Sequence, residues 1–262
     1  MNSIHTFVIL AYKKSEFLED CIKSVLNQSI QSNVVIATTT DNVFIRNMAK
    51  KYNLNVVVGE HTTIGGDFDF AIGVSNSNLV TIAHQDDIYD FKYAENIIKQ
   101  YTKNKDSLII FSDYYEIRMN KKVFSNTNLK IKRFLLLNLR FNLLSGFKFF
   151  KRNSLRFGNS ICCPAVTFVK SNCPESVFNC DYVCDVDWFA WEKLSKLPGK
   201  FLFINKKLMG HRIDKTTTTT DIINKGIRKR EDLELFNKFW PSFIAKFINN
   251  FYSNSEKSND LK

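Results

Sequence analysis

Between residues 5 and 112 the chain alternates short apolar runs with amphipathic segments, and that alternation restricts the fold more than any other feature. His5–Ala11 is a continuous apolar run of strand length. Ser15 can cap the helix behind it, with Glu16, Glu19 and Asp20 in the first turns where the helix dipole favours carboxylates. Phe17, Leu18, Cys21, Ile22, Val25 and Leu26 then fall on one face at helical spacing. The same unit recurs. Strand Asn33–Ala37 leads to a helix from Asp41 to Tyr52, and strand Leu54–Val58 to a helix over Gly66–Ser77. Strand Leu79–Ala83 leads to a helix capped by Asp90 and reaching Lys103, and a last strand follows over Ser107–Ser112. Strands joined by helical crossovers run parallel, so the sequence predicts an α/β fold: a mainly parallel sheet with helices on both faces.

In such a sheet, ligands bind in the crevice beyond the carboxyl ends of the strands. Four polar clusters fall there: Ala11-Tyr12-Lys13, Thr38-Thr39-Thr40-Asp41-Asn42, Gly65-Gly66-Asp67-Phe68-Asp69 and His84-Gln85-Asp86-Asp87. They are expected to converge on one site. The last follows the apolar run Leu79–Ala83, which would hold its carboxylates rigidly at a strand end. Oxygen ligands so placed suit Mg2+ or Mn2+, which keep coordination positions open for diphosphate oxygens. The plain alternative is an acidic turn ahead of the next helix. Gly66 would let backbone approach a nucleotide, with Asp67 or Asp69 facing its ribose. A glycine pair is common before any helix, so this signal rests on its place between the third and fourth strands.

Lys and Arg number 37 against 26 Asp and Glu, and the formal charge of +11 must attract something anionic: nucleic acid, a phosphorylated small molecule or an acidic lipid surface. No nucleic-acid readout module is recognisable, and acidic strand ends would repel a polyanion, so no nucleic-acid partner is expected. From Ile117 to Pro174 there is no acidic residue, while cations recur among the apolar side chains of Phe134–Phe141 and Phe149-Phe150. Such a stretch fits peripheral contact with anionic lipid or a lipid-diphosphate acceptor, and equally an ordinary buried helix flanked by solvated lysines. Ser160–Val166 should then return to the sheet. After Pro241, Phe243, Ile244, Phe247, Ile248 and Phe251 repeat at helical spacing. That helix could touch membrane, pack on the domain or pair with a second chain as a homo-oligomer. The polar end Ser253–Lys262 is expected to fray. The opening Met1-Asn2-Ser3-Ile4-His5 lacks the features of a signal peptide, and no apolar run approaches the roughly 20 residues that span a bilayer. A cytoplasmic protein, peripheral on the inner face of the membrane, is expected. Its six cysteines should be reduced thiols. Five of them (Cys162, Cys163, Cys173, Cys180 and Cys184) lie close together, but without the paired C-x-x-C hooks of a zinc site.

The segment Phe7-Val8-Ile9-Leu10-Ala11-Tyr12, then Leu18, Ile22, Ser24-Val25-Leu26 and Gln28, resembles the first strand and helix of the family 2 glycosyltransferases of the GT-A fold, especially those of bacterial capsule and cell-surface polysaccharide synthesis. His84-Gln85-Asp86-Asp87 stands where that family carries its D-x-D metal motif, with Asp86 at the second acidic position. The resemblance implies a GT-A (Rossmann-like) domain over residues 1–220, with 1–115 the nucleotide-sugar-binding half and 116–220 the acceptor-binding half. A helical tail over 221–262 would follow as a C-terminal extension. It implies an inverting transfer of a sugar from a nucleotide-diphosphate donor, expected to be a UDP-sugar, to a lipid-linked or growing glycan. Donor contacts would come from Ala11, Tyr12, Thr38, Thr39, Thr40, Asn42, Gly66, Asp67, Asp69, His84, Gln85 and Asp86. Asp86 and Asp87 would hold Mn2+ or Mg2+.

Three positions depart from the family. Ala37-Thr38-Thr39-Thr40 stands where acidic residues usually hold the base and ribose. His84 replaces the first acid of D-x-D. Val186 replaces the Glu of a later E-D pair whose Asp deprotonates the acceptor. Counting back from Leu194 sets Asp187 on that Asp, so Asp187 is the expected base and Asp185 its reserve, although either could merely cap the helix that begins there. Beyond the strand Phe201–Asn205, His211-Arg212 stands where the family often closes a basic segment over the diphosphate. Arg212 is expected on the phosphates and His211 in the metal shell, against the reading of a polar linker beside a surface histidine. The run Thr216–Thr220 would then be a mobile loop that excludes water. The replaced acids leave a second reading, a catalytically silent, membrane-associated partner of an active transferase.

Overall fold

The computed structural model describes residues 3–213 and 225–259, with side chains over 226–252 in the second stretch. The run Thr216–Thr220 lies outside the described residues. β1 (His5–Ala11), β2 (Asn33–Thr38), β3 (Asn55–Val58) and β4 (Leu79–His84) pair in parallel and are joined by α1 (Leu18–Leu26), α2 (Val43–Tyr52) and α3 (Ile64–Val74). β5 (Ile88–Tyr89), α4 (Tyr93–Lys103), β6 (Ser107–Arg118) and β7 (Lys121–Val123) follow. The second half supplies α5 (Thr127–Leu135), α6 (Lys148–Asn153), β8 (Val166–Val169), α7 (Val186–Ser195) and β9 (Lys200–Ile213). The last helices are α8 (Lys225–Asn237) and α9 (Ser242–Asn259).

The strands form one mixed sheet in the order β3-β2-β1-β4-β8-β6-β9-β5, with β7 on the side of β6. β8 lies antiparallel between β4 and β6, while β6 and β9 are parallel. Both faces are covered. Phe7, Ile9 and Ala11 of β1 pack with α1 and α4 residues such as Ile22, Tyr93 and Ile97, while Val8 joins the opposite core with Trp188, Trp191 and Phe168. The period-two alternation of a strand thus feeds two cores at once.

Several helix starts differ from the sequence reading. α1 begins at Leu18, because Ser15 Oγ accepts only the Phe17 N–H (3.2 Å) and caps a turn instead. Asn42 rather than Asp41 caps α2, its Oδ1 accepting the Ile45 N–H at 3.0 Å, while Asp41 pairs with Arg46. Thr63 caps α3 through the Gly66 N–H, and Asp90 braces Lys92 N ahead of α4. The basic stretch is not one helix: α5, a 3-10 turn over Leu137–Arg140 and α6 break it up. β9 does not stop at Asn205. A register shift opposite Ser112 and Asp113 loops out Asn205 and Lys206, and the strand resumes through His211 and Arg212. β6 runs without a break through residue 115. The tail packs on the domain through Leu235, Phe236 and Ala245, and its backbone stays helical to Asn259, beyond where fraying was expected. No described helix is long and apolar enough to cross a membrane.

Candidate active site

The site is built where β4 ends. β4 leads through Gln85, Asp86 and Asp87 into β5, and β5 pairs antiparallel with Met209 and Gly210 of β9. That pairing carries His211 and Arg212 back against the two carboxylates. Asp87 is fully buried, and its Oδ1 accepts from His211 Nδ1 (3.0 Å) and from the Arg212 backbone N–H (2.8 Å). The Arg212 side chain donates from Nε to the Asp86 carbonyl (3.0 Å) and from Nη1 to Asn120 Oδ1 (3.0 Å), with its guanidinium 4.0 Å from the centre of the Phe17 ring.

His84, Asp86 and Asp87 offer ligand atoms that lie within 4.8 Å of one another. His84 Nε2 and Asp87 Oδ2 are buried without a hydrogen-bond partner. Orphaned buried acceptors of this kind are costly unless something fills the space between them. An imidazole nitrogen with two carboxylates fits Mn2+ or Mg2+, so the residues present suit a divalent cation. Burial, with the Asp87 charge beside it, pushes the Asp86 carboxyl up to about 7, against the opposing pull of His211 and Arg212. Burial holds His84 down to about 4, so its imidazole is neutral and able to ligate at physiological pH. Burial also works against a charge on His211, but Asp87 and then Asp86 outweigh it and raise its pKa. His211 is not part of the trio. It meets the cluster through its Nδ1 bond to Asp87.

On the other side of β1 the polar loops are stitched together. Gln85 makes a reciprocal pair with the Tyr12 backbone, accepting its N–H at 3.0 Å and donating to its carbonyl at 2.9 Å, which fixes the ends of β1 and β4 relative to each other. Thr38 Oγ1 accepts Thr40 N–H, and Thr40 Oγ1 accepts Lys13 N–H, at a Lys13 held at φ +52. Asn42 Nδ2 donates to the carbonyls of Thr40 (2.9 Å) and Lys13 (3.4 Å). Thr39 Oγ1 donates to Asp67 Oδ2 at 3.2 Å, and His61 Nδ1 lies 2.8 Å from the same oxygen, leaving Asp67 Oδ1 buried and unpartnered. Asp69 is occupied differently. Its two oxygens accept from Ser176 Oγ (2.6 Å), Val177 N (2.7 Å) and Phe178 N (3.0 Å), so it braces a loop of the second half. The glycines also have packing reasons. A Cβ on Gly65 would strike the Phe178 carbonyl, and one on Gly66 would strike Thr62 Oγ1.

The first turn of α7 carries Asp187, a second wall near enough that Cys162 and Cys163 feel its charge together with that of Asp87. Asp187 Oδ2 accepts from Asn159 Nδ2 (2.8 Å) and Oδ1 from Trp188 N (2.8 Å). Burial raises its pKa, and these two bonds pull the other way. Asp185 is turned away: it is 3% exposed, and burial together with the Asp232 charge on α8 raises it well above the usual carboxylate range. Cys162 and Cys163 are buried at the turn that leads into β8. Burial pushes both thiols up, and the charges of both Asp87 and Asp187 add to it. The ammonium of Lys132 opposes that shift at Cys162 and also lowers both Asp187 and His211, so one cation reaches both walls. All six cysteines are free thiols.

Sequence reasoning missed His61, Asn159 and Lys132. His61 sits six residues before Asp67 in an otherwise polar loop, Asn159 lies in a turn without a motif, and Lys132 is one cation in a basic run. Only the isolated histidine before the glycine pair was a readable signal.

Residues 6–171 match the profile of Glycosyl transferase family 2, a stretch that includes the trio at the end of β4 but ends before Asp187, His211 and Arg212. Among solved structures, S. aureus TarS 1–349 in complex with UDP-GlcNAc superposes with a TM-score of 0.62 at 10% identity, over 95% of this chain and 70% of that one. The chain spans 42% of the longer S. aureus TarS structure, with a TM-score of 0.57 at 11% identity over 95% of this chain. The mannosyltransferase PcManGT from Pyrobaculum calidifontis, in complex with GDP-Man and Mn2+, gives 0.59 at 10% identity over 97% of this chain and 71% of its own. These likenesses establish the GT-A fold. No curated protein matches the sequence.

Proposed function

The chain belongs to glycosyl transferase family 2, and from that premise we propose that it is an inverting, metal-dependent glycosyltransferase acting on a UDP-sugar and a lipid-linked or growing cell-surface glycan. The observation that carries this reading is the trio His84, Asp86 and Asp87, with two orphaned buried acceptors at one strand end. We assign these three to Mn2+ or Mg2+, which when bound would neutralise the donor diphosphate. Neighbours of the same fold hold UDP-GlcNAc in one case and GDP-Man with Mn2+ in another, which supports a nucleotide-sugar for this chain.

In this reading the halves divide the work, residues 1–115 holding the donor and 116–220 the acceptor. The loops at Ala11-Tyr12 and Thr38–Asn42 form the nucleotide side, pinned by Gln85 and by the threonine hydroxyls. Asp67, with Oδ1 free, accepts an N–H or O–H of the nucleoside, while Asp69 serves as a brace. Arg212 lies against Asp86 and places a fixed positive charge beside the diphosphate as it leaves. Asp187, half-buried and oriented by Asn159, takes the acceptor proton. The acceptor oxygen forms its bond to the anomeric carbon as the bond from that carbon to the phosphate oxygen breaks. Asp185 faces α8 and is left out of this step. His211 keeps Asp87 in position and lies within reach of the cluster, which makes it a positioning residue.

A panel of nucleotide-sugars, screened for thermal stabilisation and slow hydrolysis with and without Mn2+, tests this. The reading expects a UDP-sugar to stabilise the protein only with the cation, and Asp187→Asn to keep that stabilisation while losing turnover. An Asp187→Asn enzyme with full turnover would remove Asp187 from the role. A protein that no nucleotide-sugar stabilises would remove the whole assignment.

A further inference from the structure

We propose that the aromatic surface shared by the stretch after α5 and by α9 seats the protein on an anionic lipid bilayer. Phe141, Phe147 and Phe149 are more than half exposed on the first, and Phe243, Phe247 and Phe251 on the second. An exposed phenylalanine is ordinary when single, but an accumulation of them marks a surface that meets something apolar.

The two stretches are joined at one corner. Arg152 donates to the Lys238 carbonyl at 2.7 Å with its guanidinium 4.6 Å from the centre of the Phe239 ring. Arg156 lies against both Phe157 and Trp240, at 4.9 and 4.8 Å. On α9, Ala245 and Ile248 pack into the core, so Phe243, Phe247 and Phe251, four residues apart, form the opposite stripe. The rings of Phe247 and Phe251 are 4.8 Å apart.

Charge identifies the occupant. No acidic residue occurs from Ile117 to Pro174 or from Leu235 to Tyr252, while exposed Arg140, Lys148, Lys238 and Lys246 are interspersed with these rings. Two copies of this face brought together would set cations against cations, which disfavours a symmetric self-interface. Rings that enter the headgroup layer and cations that hold lipid phosphates are what an interfacial surface requires. The inference rests on the transferase reading only for its benefit, an enzyme held within reach of a lipid-linked acceptor. Lipid binding is measured with no donor or acceptor present, so the two readings fail separately.

The test is cosedimentation of the full chain with vesicles of phosphatidylcholine alone, or with about one-third phosphatidylglycerol. The expected result is binding at least about tenfold tighter to the anionic vesicles, abolished near 1 M salt, where the screening length falls to about 3 Å. Lys148→Ser with Lys246→Ser should weaken it about 25-fold, at about fivefold per cation. Phe243→Ser with Phe247→Ser should weaken it by about tenfold or more, since both rings stand in solvent and their loss leaves the core intact. Both pairs should melt as the parent chain does. Equal binding to the two vesicle types, or binding that neither pair alters, overturns the proposal. So does a dimer in sedimentation that the phenylalanine pair dissolves, or salt-dependent binding to RNA that exceeds binding to the vesicles.

Discussion

A carboxyl group taken out of water resists ionising, and Asp86 and Asp187 are two such groups, to which the proposed function gives opposite roles. Asp86 is raised to about 7 by burial and by Asp87, so below that pH the cation-free protein carries a proton there that a bound metal would displace. Apparent Mn2+ affinity should therefore fall about tenfold per pH unit below about 7 and level off above it. Titration of Mn2+ between about pH 6 and 8 checks this, and Asp86→Asn should weaken binding and flatten the slope. Asp187 is also raised by burial, but Asn159 pulls it back. Asn159→Ala should therefore move the acid limb of the pH–rate profile to higher pH and lower kcat by about tenfold or more, the size of a lost hydrogen bond to a charged group. A kcat loss with an unmoved acid limb would mean that Asn159 acts elsewhere. The acids of the trio were legible because they follow an apolar strand with nothing else to do. At Asp69 the sequence said less: a carboxylate beside a glycine pair reads like Asp67, and its bonds to the distant Ser176–Phe178 loop carry no local signal. Asn159 carries no motif, since its role exists only through a contact 28 residues away in sequence.

At the level of elements, the three-layer interior depends on a polar thread through the sheet. His5 at the start of β1 is fully buried, with Ser32 Oγ 2.8 Å from Nδ1 and Thr81 Oγ1 2.9 Å from Nε2, and Thr81 reaches Thr167 of β8. Burial lowers its pKa from 6.5 to about 3. The neutral form is the folded form, so stability is complete above 6.5 and is lost as pH falls from there towards about 3. At about pH 5 the loss from this residue should be roughly 2 kcal/mol. Melting curves of the parent chain and His5→Gln should converge as the pH is lowered. A constant gap between them would contradict a buried neutral imidazole. At α3, Gly65→Ala should destabilise by about 2 kcal/mol through the clash with the Phe178 carbonyl, which chemical unfolding would measure. β1, β2 and β4 were readable within a residue or two because parallel strands covered on both faces are plain apolar runs, and the exposed edge strand β3 because its run is β-branched. β8 and the far half of β9 were not. Val166–Val169 is four residues long and runs antiparallel between parallel neighbours, which no local pattern announces. Asn205 and Lys206 look like the end of β9 but are its bulge. Helix caps moved by one to three residues because a side chain caps only if its backbone is extended, as at Asn42 (φ −157, ψ 164).

For the molecule as a whole, the sheet order explains why distant sequence meets at one edge. Inserting β8 between β4 and β6 brings β9 back past the end of β4, and β5 then ties His211 and Arg212 to Asp86 and Asp87. The Cys162–Cys163 turn feels the charges of both Asp87 and Asp187. The strands of residues 1–115 and of 116–213 belong to one sheet, so the proposed transfer calls for loop closure more than for domain motion. The central claim is that one cation-dependent site takes the donor while α7 supplies the base. Calorimetric titration of UDP, with and without Mn2+, into the parent chain, Asp86→Asn and Asp187→Asn addresses it most directly. UDP should bind at least about tenfold tighter with Mn2+ in the parent and Asp187→Asn chains, with no such gain in Asp86→Asn. UDP binding that is indifferent to the cation, or a full Mn2+ gain in Asp86→Asn, would contradict it.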